Sequence, residues 1–218
     1  RAIELTSANK ELESFTYISS HDLQEPLRKI QTFAGIILEK ENHNLSDKGK
    51  YYFRLMQNAA ERMQTLIQDL LAFSRFSTID RKFETTDLIE IIEEVKNDFT
   101  EAIAEKHAVI IVEESCKVHI IPFQFRQLLL NLISNALKFS NPNIPPHITI
   151  LSRNVEYAAI NIAHLPPQKE YCHIRISDNG IGFDNEFSEK IFEVFQRLHG
   201  KEDYAGTGIG LAIVKKIV

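Results

Sequence analysis

The first eighty residues carry helical periodicity. Leu12, Phe15, Ser19, Leu23, Pro26, Ile30, Phe33 and Ile37 recur at three- and four-residue steps, the seam of a helix packed in a bundle. The stretch ENHNLSDKGK then supplies Asn, Gly and charge enough for a reversing loop, with Ser46 or Asp47 as the N-cap of a second helix. In that helix Tyr52, Met56, Ala59, Met63, Leu66, Leu70 and Phe73 form a strict heptad face. Two antiparallel helices bury one stripe each and leave the open face of the pair apolar. The pattern therefore predicts a homodimeric four-helix bundle, with a hairpin docked on the downstream residues of its own chain as the alternative.

From about Arg81 the pattern changes. KFETTDL reads as a short strand, IEIIEEVKNDFTEAIAEK as a helix, VIIVEE as a strand and FRQLLLNLISNALKFS as a helix, while HITILSRN and EYCHIRISD read as two strands. The connections are too varied for a parallel βαβ repeat. The expected fold is a helical hairpin followed by an α/β sandwich, one mixed sheet covered by helices. The break near residues 76 to 83 divides a hairpin domain of residues 1–78 from a domain of residues 83–218. Residues 157–168, with Pro166-Pro167, read as an excursion between strands.

Composition narrows the class. The chain has 218 residues, 44% hydrophobic and 25% charged, which excludes disorder and low-complexity polymers. A net charge of −5 argues against nucleic acid as a partner. Cys116 and Cys172, 56 positions apart, make neither a disulfide framework nor a paired-cysteine metal site, and no apolar run approaches the ~20 residues that cross a bilayer. The cysteine usage reads as that of a reducing, cytosolic protein; the start resembles no signal peptide, and any membrane segment would lie outside this stretch. Six of the eight glycines fall between Gly180 and Gly210, where something requires backbone without side chains.

Four clusters could carry chemistry. His21 lies two residues from both Ser19 and Leu23 of the seam, a rotation of about 200°, so its imidazole is expected to face solvent. Asp22 and Glu25 lie beside it, able to orient one ring nitrogen and free the other as a nucleophile. Pro26, one turn on, implies a kink. Asn131, Asn135 and Lys138 share one helix face, a stripe of two amides and an ammonium that suits a magnesium-bound polyphosphate as well as it suits plain solvent. Asp178-Asn179-Gly180-Ile181-Gly182 ends a strand with a carboxylate suited to a base amino group, or simply makes an Asx turn. Gly206, Gly208 and Gly210 precede an apolar helix, where backbone N–H groups can cradle phosphate oxygens.

In their joint order these elements resemble the sensor histidine kinases of two-component signalling. SFTYISSHDLQEPLRKI resembles the phosphoacceptor box, QLLLNLISNALKFS the N box, DNGIGF the first G box, IFEVFQRL the F box and GTGIGLAIV the second G box. The resemblance covers residues 15 to 218. It implies a Bergerat-type ATP-binding fold after the dimerisation hairpin, with ATP and Mg2+ as cofactors. His21 would accept the γ-phosphoryl group and Asp22 would orient or deprotonate it. Asn135 would be the magnesium ligand, Asn131 its companion and Lys138 a phosphate contact. Asp178 would bind the adenine amino group, with Gly180 and Gly182 shaping that wall. Residues 184–205 would form a lid anchored by Phe192 and Phe195, with Arg197 a phosphate contact, and Gly206, Thr207, Gly208 and Gly210 would bind the triphosphate. A hinge would lie near Phe76 to Lys82.

The implied partners are a second copy, a response-regulator receiver domain whose aspartate takes the phosphoryl group from His21, and an upstream sensory domain. Boxes like SHDLQEPL also occur in phytochrome-linked kinases. Two features depart from the pattern. Glu25 stands where the most familiar subgroup has Thr or Asn, which implies weak phosphatase activity because its charge repels an aspartyl phosphate. The chain also stops at Val218, inside the helix after the second G box, so a C-terminally truncated domain is expected. A phosphotransfer scaffold without ATP turnover, and a gyrase- or Hsp90-like ATPase without a histidine acceptor, are the competing readings.

Overall fold

The computed structural model describes residues 22–75, 82–156, 170–198 and 206–218. The chain divides into two compact units, one comprising Arg1–Ile79, Glu193–Arg197 and Ala205–Ile213, the other Asp80–Phe192, Leu198–Tyr204 and Val214–Val218.

In the first unit, helix α1 is described over 22–40 and α2 spans Asp47–Arg75. The reversing loop behaves as the sequence requires: Ser46 Oγ accepts the Gly49 N–H at 3.1 Å, which makes Ser46 the N-cap. Helix α1 runs through Pro26 to residue 40 without a break in its helical turns. The packing within the hairpin differs from the seam read off the sequence. Leu27, Ala60 and Ile67 form the buried cluster with Leu71 against it, and Ala34 is buried as well. Leu23, Ile30 and Phe33, assigned to the seam, are exposed, Phe33 by 61%. On α2 the same holds for Tyr52, Met56, Met63 and Leu70. The chain buries a narrow stripe one position away from the larger apolar one, because small residues at 34 and 60 suit a close helix contact and the bulkier stripe does not.

In the second unit, strand β1 (Glu84–Asp87) leads into α3 (Leu88–Asp98), capped by Asp87 Oδ1, which accepts the Ile89 N–H at 3.2 Å. Leu88, Ile91, Ile92 and Val95 are its buried face, at i, i+3, i+4 and i+7. The single helix expected over 89–106 is two, because Phe99 (φ −105°, ψ 14°) ends α3 before α4 (Thr100–Lys106) begins. Strands β2 (Val109–Glu114) and β3 (Lys117–Ile120) follow, then α5 (Pro122–Lys138), with Pro122 at its first turn where a missing N–H costs nothing. Strands β4 (His147–Glu156) and β5 (Glu170–Asp178) complete the sheet.

The mixed sheet has the order β2-β4-β5, with β2 and β4 parallel and β4 and β5 antiparallel from Ile148↔Asp178 to Glu156↔Glu170. β3 is an addition to the expected elements and pairs antiparallel with β1 in a separate two-stranded ladder. The connection expected over 157–168 lies outside the described residues. Ile148, Ile150 and Ser152 alternate into the interior of β4, and Leu129 and Ile133 of α5 are fully buried. Ser152 is satisfied there: its Oγ accepts the Cys116 N–H and donates to the Glu114 carbonyl, each at 3.2 Å. Sequence spacing gives no reason to pair the cysteines, yet the fold brings Cys116, between β2 and β3, into a disulfide with Cys172 of β5. No helix among the described residues is long and apolar enough to cross a membrane.

Candidate functional site

Helix α5 presents Asn131, Asn135 and Lys138 on a partly buried face, opposite Leu129, Ile133, Ala136 and Leu137 of the core, with buried Leu128 one turn before Asn131 at the edge of the stripe. The Asn131 amide donates to the Gln127 carbonyl one turn back at 3.0 Å. The C-terminal end of α5 is held by two groups. Lys106 Nζ donates to the Leu137 carbonyl at 2.8 Å and reaches Ser140 Oγ at 3.2 Å, placing a cation at the negative end of the helix dipole. Phe139 N–H donates to the Asn135 carbonyl at 2.8 Å, and Lys138 Nζ lies 4.3 Å from the Phe139 ring centroid.

The same helix end receives the segment after β5. Ile181 N–H donates to the Phe139 carbonyl at 2.9 Å, and Gly180 N–H donates to Asp178 Oδ1 at 2.8 Å. A Cβ on Gly180 would stand 2.6 Å from the Phe139 carbonyl oxygen and 2.7 Å from Asp178 Oδ1, so glycine is a packing requirement there. Asn179 ties the strand end to the entry of β4, accepting the His147 N–H at 2.8 Å and donating to the Pro145 carbonyl at 3.0 Å. Gly182 has φ +65° with open space around its Cβ position, so its glycine serves conformation alone. Asn131, Asn135 and Lys138 are thus brought to Asp178, Gly180 and Gly182 through one carbonyl. Sequence spacing names both groups, and this geometry joins them.

Residues 184–198 of the expected lid contain two short 3₁₀ turns, Asn185–Phe187 and Lys190–Phe192, and residues 199–205 lie outside the described ones. Lys215 Nζ lies 5.9 Å from the Phe192 ring centroid, and Arg197 is partly buried.

The turn of Gly206, Thr207 and Gly208 lies in the first unit and precedes α6 (Gly210–Ile217). Phe195 N–H donates to the Gly208 carbonyl at 2.9 Å, and both residues have positive φ, 66° and 73°. A Cβ on Gly208 would lie 2.8 Å from the Gln196 carbonyl oxygen and from the Phe195 carbonyl carbon. Ile209 and Ile213 are fully buried, which anchors the start of α6. The Thr207 hydroxyl donates to Asp69 of α2 at 2.5 Å. Asp69 was missed by the sequence reading. Its signal is a carboxylate between Leu66 and Leu70 of the heptad, but its partner stands 138 positions away. Burial pushes the Asp69 carboxyl up from its ordinary value, and the Thr207 hydroxyl pulls partly back.

His21 and most of the hinge expected at 76–82 lie outside the described residues. Asp22 and Glu25 are exposed on α1, and Glu25 pairs with Lys29 at 2.7 Å.

The profile of the His Kinase A (phospho-acceptor) domain matches residues 11–78, and that of the Histidine kinase-, DNA gyrase B-, and HSP90-like ATPase matches residues 121–218. The chain belongs to the sensor histidine kinase family. The chain is 35% identical over 217 residues to cyanobacterial phytochrome A of Nostoc sp., covering 100% of the chain and 26% of the relative. It is 29% identical over 222 residues to sensor histidine kinase WalK of Bacillus subtilis, covering 99% of the chain and 34% of the relative. The chain thus spans about a quarter of the first relative's length and about a third of the second's. Among solved structures it is similar in fold to full-length ShkA in complex with AMPPNP, with a TM-score of 0.63 and 22% identity over 94% of this chain and 40% of that one. Acinetobacter baumannii histidine kinase AdeS shares the fold with a TM-score of 0.56 and 22% identity, over 88% and 84% of the two chains.

Proposed function

We propose that the chain is an ATP-dependent histidine autokinase in which residues 83–218 hold Mg-ATP and the hairpin of residues 1–78 presents His21 as phosphoryl acceptor. The observation that carries this reading is the junction at Phe139, which supports one polar wall built from α5 and the end of β5. The groups present fit a magnesium nucleotide. Asp178, fixed through one oxygen by the Gly180 N–H, has acceptor capacity left for an adenine amino group, and the glycines let a flat base approach backbone. Asn135 offers an amide oxygen, a hard ligand that would hold Mg2+, with Asn131 beside it and Lys138 as a point charge for phosphate. When bound, the ion supplies neutralisation of the developing charge on the phosphoryl oxygens.

Phosphoryl transfer depends on in-line positioning and charge neutralisation more than on covalent help from the protein. In this reading Asp22 orients the His21 ring, and the N–H groups of Gly206 to Gly210, with Thr207 and Arg197, contact the phosphates. His21 then donates to an aspartate of a response-regulator receiver domain. A second copy covers the apolar stripe of Phe33, Met56 and Met63 in a four-helix bundle, and an upstream sensory domain sets the activity of a cytoplasmic kinase region. Glu25, acidic at the position next to the acceptor turn, keeps phosphatase activity weak, although its pairing with Lys29 offsets part of its charge.

The deciding experiment is incubation with radiolabelled ATP and magnesium, comparing wild type with His21→Gln. Label that is acid-labile, base-stable and absent from His21→Gln is expected. Label that persists in His21→Gln overturns the assignment of the acceptor. Nucleotide binding without any label favours the phosphotransfer-scaffold reading.

A further inference from the structure

The turn of Gly206, Thr207 and Gly208 is pinned from two directions. On one side, Phe195 N–H holds the Gly208 carbonyl at 2.9 Å, with Phe195 and Gln196 backbone packed where a Cβ would stand. On the other, Asp69 of α2 accepts the Thr207 hydroxyl, and all these residues belong to the first unit. The Ile209 N–H, the first backbone donor after the turn, also reaches Thr207 Oγ1, at 3.4 Å. Fully buried Ile209 leaves the turn little freedom to slide along α6.

An ionised carboxylate and a phosphate oxygen are the same kind of partner to a hydroxyl, since each is anionic and accepts without donating. A hydroxyl has one proton to donate. While Thr207 gives it to Asp69 it cannot give it to a nucleotide, and a second anion arriving at the turn meets the first. Asp69 is half-buried on α2 with Leu66, Leu70 and Leu71 near it along the helix, and a carboxylate withdrawn from water is costly to keep. The rise in its pKa from burial expresses that cost, and the Thr207 hydroxyl offsets it in part.

We propose that Asp69 is an internal competitor for the triphosphate: its carboxylate occupies the Thr207 hydroxyl as a phosphate would, so the turn must leave Asp69 before it binds the phosphates of a nucleoside triphosphate. The inference rests on the nucleotide reading above and adds a brake to it. Asp69 acts through Thr207, as a positioning residue.

The test measures affinity for a non-hydrolysable ATP analogue with magnesium, together with KM and kcat for self-labelling, in wild type, Asp69→Ala and Asp69→Asn. Thermal melts verify folding, and the near-isosteric Asp69→Asn keeps the test open should Asp69→Ala fail to fold. Release of one charge-assisted hydrogen bond is expected to tighten nucleotide binding roughly 3- to 10-fold in Asp69→Ala, lowering KM and leaving kcat unchanged. Asp69→Asn, which retains an acceptor without the charge, falls between. Repeating Asp69→Ala on a Thr207→Val background should abolish the gain, which a general loosening of α2 would not do. Unchanged or weaker nucleotide binding in folded Asp69→Ala overturns the brake while the nucleotide site stands. Wild-type protein that binds no nucleotide overturns the nucleotide reading and the brake together.

Discussion

In the second unit Leu129, Ile133, Ile148 and Ile150 are fully buried, and the polar wall at Phe139 and Asp178 is assembled by backbone hydrogen bonds within that unit. In the hairpin, Leu27, Ala60 and Ile67 are buried, while Leu23, Ile30, Phe33, Tyr52, Met56 and Met63 face solvent. A helical pair has too little inner surface to enclose two full stripes, so the choice is which stripe to bury. The hairpin encloses a narrow stripe of mixed size, Leu27, Ala34, Ala60 and Ile67, and leaves the bulkier stripe outside. The difference separates a region built on fully buried side chains, though Phe83, Phe123 and Phe183 remain exposed there too, from one in which most of the large apolar side chains lie along one uncovered stripe, as a surface suited to a neighbour does.

The largest expected effect breaks that comparison at its core. Ile133→Ala removes a side chain with no solvent exposure and should cost about 2–5 kcal/mol in denaturant melts, at any protein concentration. Phe33→Ala removes a larger side chain that is 61% exposed in the single chain. Within the chain alone it should cost under about 0.5 kcal/mol. If a second copy covers the stripe, Phe33→Ala should also shift sedimentation toward monomer at micromolar concentrations. A concentration-dependent loss for Ile133→Ala, or no change in association for Phe33→Ala, would remove the distinction.

The same comparison explains what could be read from the sequence. β2 and β5 coincide with VIIVEE and EYCHIRISD, because strands in a packed sheet are marked by dense apolar and β-branched residues. α5 was legible from both faces at once. β3 was not, since the polar/apolar alternation of KVHI lasts only four residues and is too short to stand out. The break at Phe99 was hidden because apolar residues continue across it at helical spacing. In the hairpin, periodicity identified the apolar stripe but not that a neighbouring stripe is the one buried within the single chain, since a period tells which residues share a face but not what lies against it. Within the site, the residue types at Asn135 and Asp178 suggest the chemistry proposed for it, but the carbonyl of Phe139 that joins their elements has no side-chain signature. Asp69 and Thr207 illustrate the same limit, because a single hydrogen bond across 138 positions leaves no spacing to read.

The wall can be probed more finely with its glycines, which were equivalent in the sequence and are unlike in the fold. Gly180→Ala drives a methyl group against the backbone oxygen of Phe139, 2.6 Å away, so β5 and α5 must separate. It should destabilise the second unit by about 1–3 kcal/mol and weaken nucleotide binding at least tenfold. Gly182→Ala meets open space and bears only the strain of φ +65°, about 1 kcal/mol, with little loss of binding. Equal losses of nucleotide affinity at both positions would mean that conformation, not the junction with α5, governs the wall.

The smallest effect tests a half-buried carboxylate, Asp69, on the hairpin side of the comparison. Burial raises the native pKa of Asp69 above 3.8, with the Thr207 hydroxyl partly opposing it. Between the unfolded value and the raised native value the folded chain holds a proton that the unfolded chain has lost. Its favourable contribution is therefore complete below the unfolded pKa and disappears as pH rises through the native one. Asparagine at position 69 does not titrate, so the stability of wild type minus that of Asp69→Asn isolates this contribution from every other titrating group. That difference should be largest near pH 4, decline as pH rises and become flat once Asp69 is ionised in both states. Urea melts read by helical circular dichroism from pH 4 to pH 8 would measure it. The size should be modest, because a carboxylate with part of its surface in water is screened. A difference that instead rises with pH would mean that Thr207 and the surrounding dipoles stabilise the charged form more than burial penalises it, and that the hairpin accommodates this anion without cost.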